Sequence, residues 1–149
     1  MMTTGARPAY LKGASIALVF VGGVIGVAAR EGFMLAVPNE DNIPIVVPIV
    51  NILGAFVLGY LYEALTRTAP GPELTSRLKL LIGTGFCGGL TTYSSLATDT
   101  AVLFDDDRAG IGILYAVGTV VIGAGATFAG IALASTLHER KSEGTGSGT

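Results

Sequence analysis

Between residues 83 and 100 the chain reads Gly-Thr-Gly-Phe-Cys-Gly-Gly-Leu-Thr-Thr-Tyr-Ser-Ser-Leu-Ala-Thr-Asp-Thr, a run of glycines and hydroxyls inside an otherwise apolar stretch. Glycine lowers the cost of leaving a helix, and main chain that unwinds in hydrocarbon must be buried against protein or face an ion or a cavity. Its bare carbonyls then suit a cation, whereas N–H groups and hydroxyls can donate to an anion. An unwinding over 88–92 is expected on this ground, in preference to a glycine seam whose Ser and Thr hydroxyls bond back to the helix. Asn51 stands in the apolar run Ile49-Val50-Asn51-Ile52-Leu53-Gly54, and its amide must find partners there. It reads either as glue between helices or as a neutral donor able to solvate an anion. Gly22, Gly26 and Arg30 share one helix face at four-residue spacing. The arginine either snorkels to water at the end of a helix that packs through its glycines, or draws an anion toward a vestibule. Tyr115 and Thr119 also share a face, and a buried phenol needs a partner. Glu63 reads as an interfacial charge rather than a pore ligand.

Only segments that cross a bilayer can hold such groups at that depth. Half of the 149 residues are hydrophobic and 13% are charged, so the charged quarter or so of an ordinary soluble domain is missing and lipid is the expected solvent. Apolar stretches at 15–37, 43–65, 78–104 and 110–137 each exceed the roughly 20 residues that span a bilayer core. The expected fold is an all-α membrane protein of four transmembrane helices, the third broken mid-membrane, joined by polar connections at 38–42, 67–79 and 105–108. Residues 1–14 form a cytoplasmic N-terminal segment, 15–137 the transmembrane domain and 138–149 a flexible tail. The first span is too long for a cleavable signal peptide, and three more follow it. Arg7, Lys12, Arg67, Arg77, Lys79, Arg140 and Lys141 fall on the side of the termini and only Arg108 in an opposite loop, which predicts a multi-pass plasma-membrane protein with both termini cytoplasmic. The net charge of −2 comes without a basic block, removing the electrostatic reason for a nucleic-acid partner. Cys87, the single cysteine, reads as a small packed residue.

The four spans in order resemble the CrcB/Fluc family of fluoride-specific ion channels. Its marks are a Gly-rich first helix ending in Arg, an Asn-x-x-Gly second helix, and a third helix with GxxGGxTT followed by Phe-Ser-x-Phe. These correspond to Gly22 through Arg30, Asn51-Ile52-Leu53-Gly54, and Gly85 through Thr92 followed by Tyr93-Ser94-Ser95-Leu96. The resemblance implies an antiparallel dimer of oppositely oriented subunits, two narrow fluoride pathways and a structural, untransported sodium ion at the centre. The carbonyls of Gly88 and Thr91 would hold that sodium, two from each subunit. Asn51 corresponds to the pore amide, Tyr93 to one pore aromatic, Ser94 and Ser95 to the hydroxyl track, and Tyr115 to the fourth-helix phenol, with Thr119 on its face. Arg30 would serve the vestibule, and Asp99 is a possible pore-side acid where relatives often carry Glu. The implied function is passive export of fluoride, relieving its toxicity, with selectivity set by donors, ring edges and a constriction too narrow for chloride.

Two departures bear on the partner. The paired phenylalanines become Tyr93 and Leu96, and Leu96 has no ring edge to offer an anion. The lopsided Lys/Arg distribution favours one orientation, whereas a dual-topology homodimer needs two. A homodimer and a heterodimer with an oppositely oriented homologue both remain, and in the second this chain would be an accessory subunit. A small multidrug exporter would need a central membrane carboxylate, for which Asp99 is the only deep candidate. A non-transporting scaffold is a further class. No enzyme is expected: His138 sits beside Glu139 and Arg140 at a helix end, and no base neighbours the hydroxyl cluster.

Overall fold

The computed structural model describes residues 13–37 and 43–146, with side chains up to residue 140. The first connection, most of the 1–14 segment and residues 147–149 lie outside the described residues. Every element within them is a helix: α1 (Gly13–Ala36), α2 (Val46–Thr68), α3 (Pro72–Leu78), a π-helical segment (Lys79–Cys87), α4 (Gly88–Leu90), α5 (Tyr93–Asp105) and α6 (Ala109–Gly146). Three of these, α1, α2 and α6, are each long and apolar enough to cross a membrane. The apolar stretch 78–104 is divided, since α4 stops at Leu90 and α5 starts at Tyr93. Residues 88–90 therefore stay helical, and only Thr91 and Thr92 of the 88–92 segment are extended.

The turns follow local chemistry. Pro48 sits in the first turn of α2, where its missing N–H costs nothing. Ala69 turns left-handed after α2 and donates its N–H to Leu65 C=O at 3.2 Å. Gly71, with φ of 101°, then admits Pro72 as the opening residue of α3, and Glu73 pairs with Arg77 one turn on at 2.6 Å. Most of the 67–79 segment expected as a polar connection is therefore helix. Its Pro-Gly-Pro run looks like a breaker, but Pro72 at the first helical position starts a helix. The helical backbone of α6 likewise runs to Gly146, into the segment expected to be flexible, through the good helix formers Glu139, Arg140 and Lys141.

Two helix pairs make the body. Gly22 and Gly26 are the buried residues of α1, and a Cβ on either would strike a carbonyl, that of Leu81 or Phe86 respectively. Gly85 and Gly89 face back onto the Val19 and Gly23 carbonyls, so small residues on both sides let the two backbones touch. In the second pair Gly59 meets Thr127 C=O and Gly130 meets Phe56 C=O. The contacts climb together along each pair, from Val19 with Gly85 to Gly23 with Gly89 and from Ala55 with Thr127 to Arg67 with Glu139, so each pair is parallel. Val46, Val50 and Leu90 form one buried cluster, and Val47, Leu96, Leu103 and Tyr115 the other. The start of α2 supplies both and so joins the pairs. Elsewhere the helices turn apolar side chains outward, Phe20 at 70% and Phe128 at 72% exposure, a surface suited to lipid or another subunit rather than water.

Candidate functional site

Thr91 (φ −82°, ψ 153°) and Thr92 (φ −147°, ψ 113°) leave the helix between α4 and α5. Asn51 on α2 meets this extended backbone at two points. Its Nδ2 donates to Thr92 C=O at 3.1 Å, and Thr92 N–H donates to its Oδ1 at 2.7 Å. In an unbroken helix Thr92 N–H would instead close onto Gly88 C=O. Ser95 N–H, which would close onto Thr91 C=O, donates to Thr92 Oγ1 at 3.2 Å, capping α5. The Thr92 hydroxyl also lies 3.0 Å from Ser95 Oγ and 3.2 Å from Ser94 Oγ. Cys87 C=O accepts twice from Thr91, from N–H at 2.9 Å and from Oγ1 at 2.8 Å. The methyl of Thr91 packs on Gly54, where a Cβ would collide with it.

The donors that would have turned to Gly88 and Thr91 C=O are thus engaged elsewhere. Gly88 is exposed, with open space where a side chain would stand. No group of three or more His, Cys, Asp or Glu comes together among the described residues.

Asn51, Thr91, Tyr93, Leu96, Thr119 and Thr127 line a groove of about 380 Å³ floored by Ala55, Leu58 and Gly123. Its hydroxyl hydrogens are partly spent: Thr119 Oγ1 donates to Tyr115 C=O at 2.6 Å, and Thr127 Oγ1 to Gly123 C=O at 3.1 Å. One Nδ2 hydrogen of Asn51 remains for an incoming group. The ring of Tyr93, 83% exposed, stands between this groove and a second of about 480 Å³ bounded by Ala97, Thr100, Val117 and Val121. Leu96, 6% exposed, belongs to both walls and to the core beneath them.

The remaining candidates lie apart from this groove. Tyr115 is buried, and its hydroxyl donates to Asp99 Oδ2 at 2.9 Å, with Pro44 C=O at 3.1 Å. Arg30 reaches Glu31 at 3.4 Å, and its Nε is buried without a hydrogen bond. Glu63 pairs with Arg67 one turn on along α2 at 2.5 Å and accepts from Ser135 Oγ of α6 at 3.0 Å, the second bond joining the two helices. Thr92, Gly54 and Thr127 did not figure among the sequence-derived site residues. The doubled threonine and the Asn-x-x-Gly spacing were signals for the first two, and nothing in the sequence singled out Thr127. Replacing Tyr115 by Phe is expected to destabilise the folded protein by about 1–2 kcal/mol, because Asp99 loses its donor. Thermal unfolding of the two forms in detergent measures the difference.

The family model described as "CrcB-like protein, Camphor Resistance (CrcB)" matches residues 17–131, from α1 into α6. The chain is 44% identical over 134 residues to a protein of Leifsonia xyli subsp. xyli named fluoride-specific ion channel FluC 2, covering 90% of this chain and 92% of that one. It is 38% identical over 122 residues to fluoride-specific ion channel FluC of Chlorobaculum tepidum, covering 80% and 94%. To the protein of the same name from Methanopyrus kandleri it is 36% identical over 134 residues, covering 90% and 94%. The match takes in Asn51, both extended threonines and Tyr115 together with the helices that carry them: the chain belongs to the CrcB family, whose members are channels and not enzymes.

Proposed function

We propose that this chain is a subunit of a fluoride channel that lets fluoride leave the cell passively through the plasma membrane. In this reading residues 72–105 form the third of four spans, unwound at Thr91 and Thr92 within the bilayer, and both termini are cytoplasmic. An oppositely oriented second subunit completes the assembly. The observation that carries the proposal is the clamp of Asn51 on Thr92, in a chain whose relatives are named fluoride channels. Unwound backbone at membrane depth is tolerated where it is buried in protein or lines a cavity, and broken helices of transporters use it for ion sites, which supports this reading of the clamped segment.

Gly88 and Thr91 would hold a structural sodium ion through their carbonyls, a donor set suited to a hard, weakly bound cation. Bound there, sodium would join two unwound segments. Fluoride would travel by the other groups. It exchanges water for the free Nδ2 hydrogen of Asn51, the hydroxyls of Ser94 and Ser95, and the ring edge or hydroxyl of Tyr93. Arg30 supplies positive potential near one end. Thr119 lines the path with its hydrogen turned to α6, and Tyr115 joins the path only by releasing Asp99.

Reconstituted in liposomes, the chain is expected to pass fluoride electrogenically and to exclude chloride, read with ion-selective electrodes. Proton-coupled uptake of a cationic drug in its place would reject the proposal.

Leu96 favours a second reading, in which conduction requires an oppositely oriented homologue with a complete aromatic pair. The lopsided Lys/Arg distribution points the same way. Full rescue of a fluoride-sensitive, exporter-deficient cell by this chain alone would exclude obligate pairing.

A further inference from the structure

We infer that Asn51 is a positioning residue for the main chain of its neighbouring helix: by pairing with Thr92 it keeps the carbonyl of Gly88 out of helical hydrogen bonding and available, beside that of Thr91, to a cation. The inference rests on the reading of those carbonyls as cation ligands, but the clamp itself is observed independently of any ion. A primary amide matches a peptide unit, presenting one acceptor and one donor side by side. Asn51 uses both on a single residue, accepting from Thr92 N–H at 2.7 Å and donating to Thr92 C=O at 3.1 Å. The reciprocal pair also fixes which amide atom is oxygen, since Thr92 N–H can only donate.

Thr92 is buried, so its N–H must have an acceptor. Without Asn51 the acceptor one helical turn back is Gly88 C=O, and taking it would restore the turn. The cation would then lose an oxygen to the helix. Gly54 completes the hold. Three residues after Asn51 it lies on the same face of α2, and its missing side chain receives the methyl of Thr91. The hydroxyl branch of Thr91 is fixed on Cys87 C=O at 2.8 Å. Each extended residue thus has its own fixture on α2, Thr91 at Gly54 and Thr92 at Asn51, which gives the Asn-x-x-Gly spacing a physical reason.

The sequence offers a clean reporter. Gly22-Gly23 and Gly88-Gly89 are the two places where one glycine follows another, so glycine labelled with ¹³C at the carbonyl and ¹⁵N gives a direct carbonyl-to-nitrogen correlation only at Gly22 and Gly88. Full-length protein would be compared with Asn51→Leu, which removes the amide, and Asn51→Asp, which keeps the acceptor for Thr92 N–H. Asn51→Ala serves if the leucine form does not fold. In sodium-free buffer the leucine form is expected to move the Gly88 carbonyl resonance to a helical value while Gly22 stays in place. On titration with sodium, its half-response concentration should rise at least about tenfold, the scale of one lost hydrogen-bonding partner. The aspartate form should keep the Gly88 resonance and its sodium response while losing fluoride flux. If Asn51 acted only as a pore donor, every variant would lose flux with Gly88 unmoved, and the inference would be overturned. A wild-type Gly88 that ignores sodium would reject the cation reading, and the sodium-free shift would still decide the clamp, supporting it if present and overturning it if absent.

Discussion

Gly26→Val is expected to leave almost no folded protein, while Gly32→Val in the same helix leaves the yield unchanged. At Gly26 a Cβ would strike Phe86 C=O and stand 2.8 Å from Leu90 N, both main-chain atoms, so no change of rotamer relieves the clash. The two backbones must move apart along the seam that buries the glycines of α1. Overpacking costs about 1–3 kcal/mol where side chains can yield, and a displaced helix puts valine here at about 3 kcal/mol or more. Little else compensates, because α1 buries no large side chain. At Gly32 open space surrounds the Cα, and valine is no poorer a helix former than the glycine it replaces. Size-exclusion chromatography of detergent-extracted protein reads both. Equal monodisperse yields would mean that the glycine seam does not hold α1 in place.

That seam was legible in the sequence because Gly22 and Gly26 recur at the spacing of one helix face. What they pack against was not, since Gly85 lies in a π-helical segment and Gly89 in the short α4 that follows it, and the period of a π-helix differs from that of an α-helix. The apolar stretches matched the three long helices, since lipid-facing helices need only length and hydropathy. Polarity marked 67–79 as a connection but did not show that most of it is helix, which depends on the local order of Gly71 before Pro72 at a helix start. At the site, the unpartnered amide and the clustered hydroxyls singled out Asn51 and residues 91–95, and the structure joins Asn51 to this run at Thr92. The sequence could not disclose that Asn51 and Thr92 meet, because they are 41 residues apart and neither has local reason to pair. Nor could spacing separate Thr119 from Tyr115. They share a helix, but one lines the groove and the other is drawn to Asp99 on α5.

Leu96→Phe is expected to raise fluoride flux through liposomes containing this chain alone by about tenfold, the effect of roughly 1.4 kcal/mol on a barrier. Leu96 forms part of the wall of both grooves beside the exposed ring of Tyr93. A phenyl ring there presents a positive edge to an anion, where leucine presents only hydrocarbon. The larger side chain ordinarily risks overpacking, since Leu96 also touches Val47, Leu103 and Tyr115. Here the extra carbons can extend into the open grooves rather than the core, so the folded protein should persist, checked by its unfolding temperature in detergent. Chloride flux should stay at background, because a ring edge adds no room for the larger ion. Co-reconstitution with a homologue that carries the complete aromatic pair should shrink the gain, since the partner then supplies the ring. An unchanged flux in folded Leu96→Phe protein would show that the missing aromatic does not limit conduction, and would remove the chief structural reason for requiring a second kind of subunit.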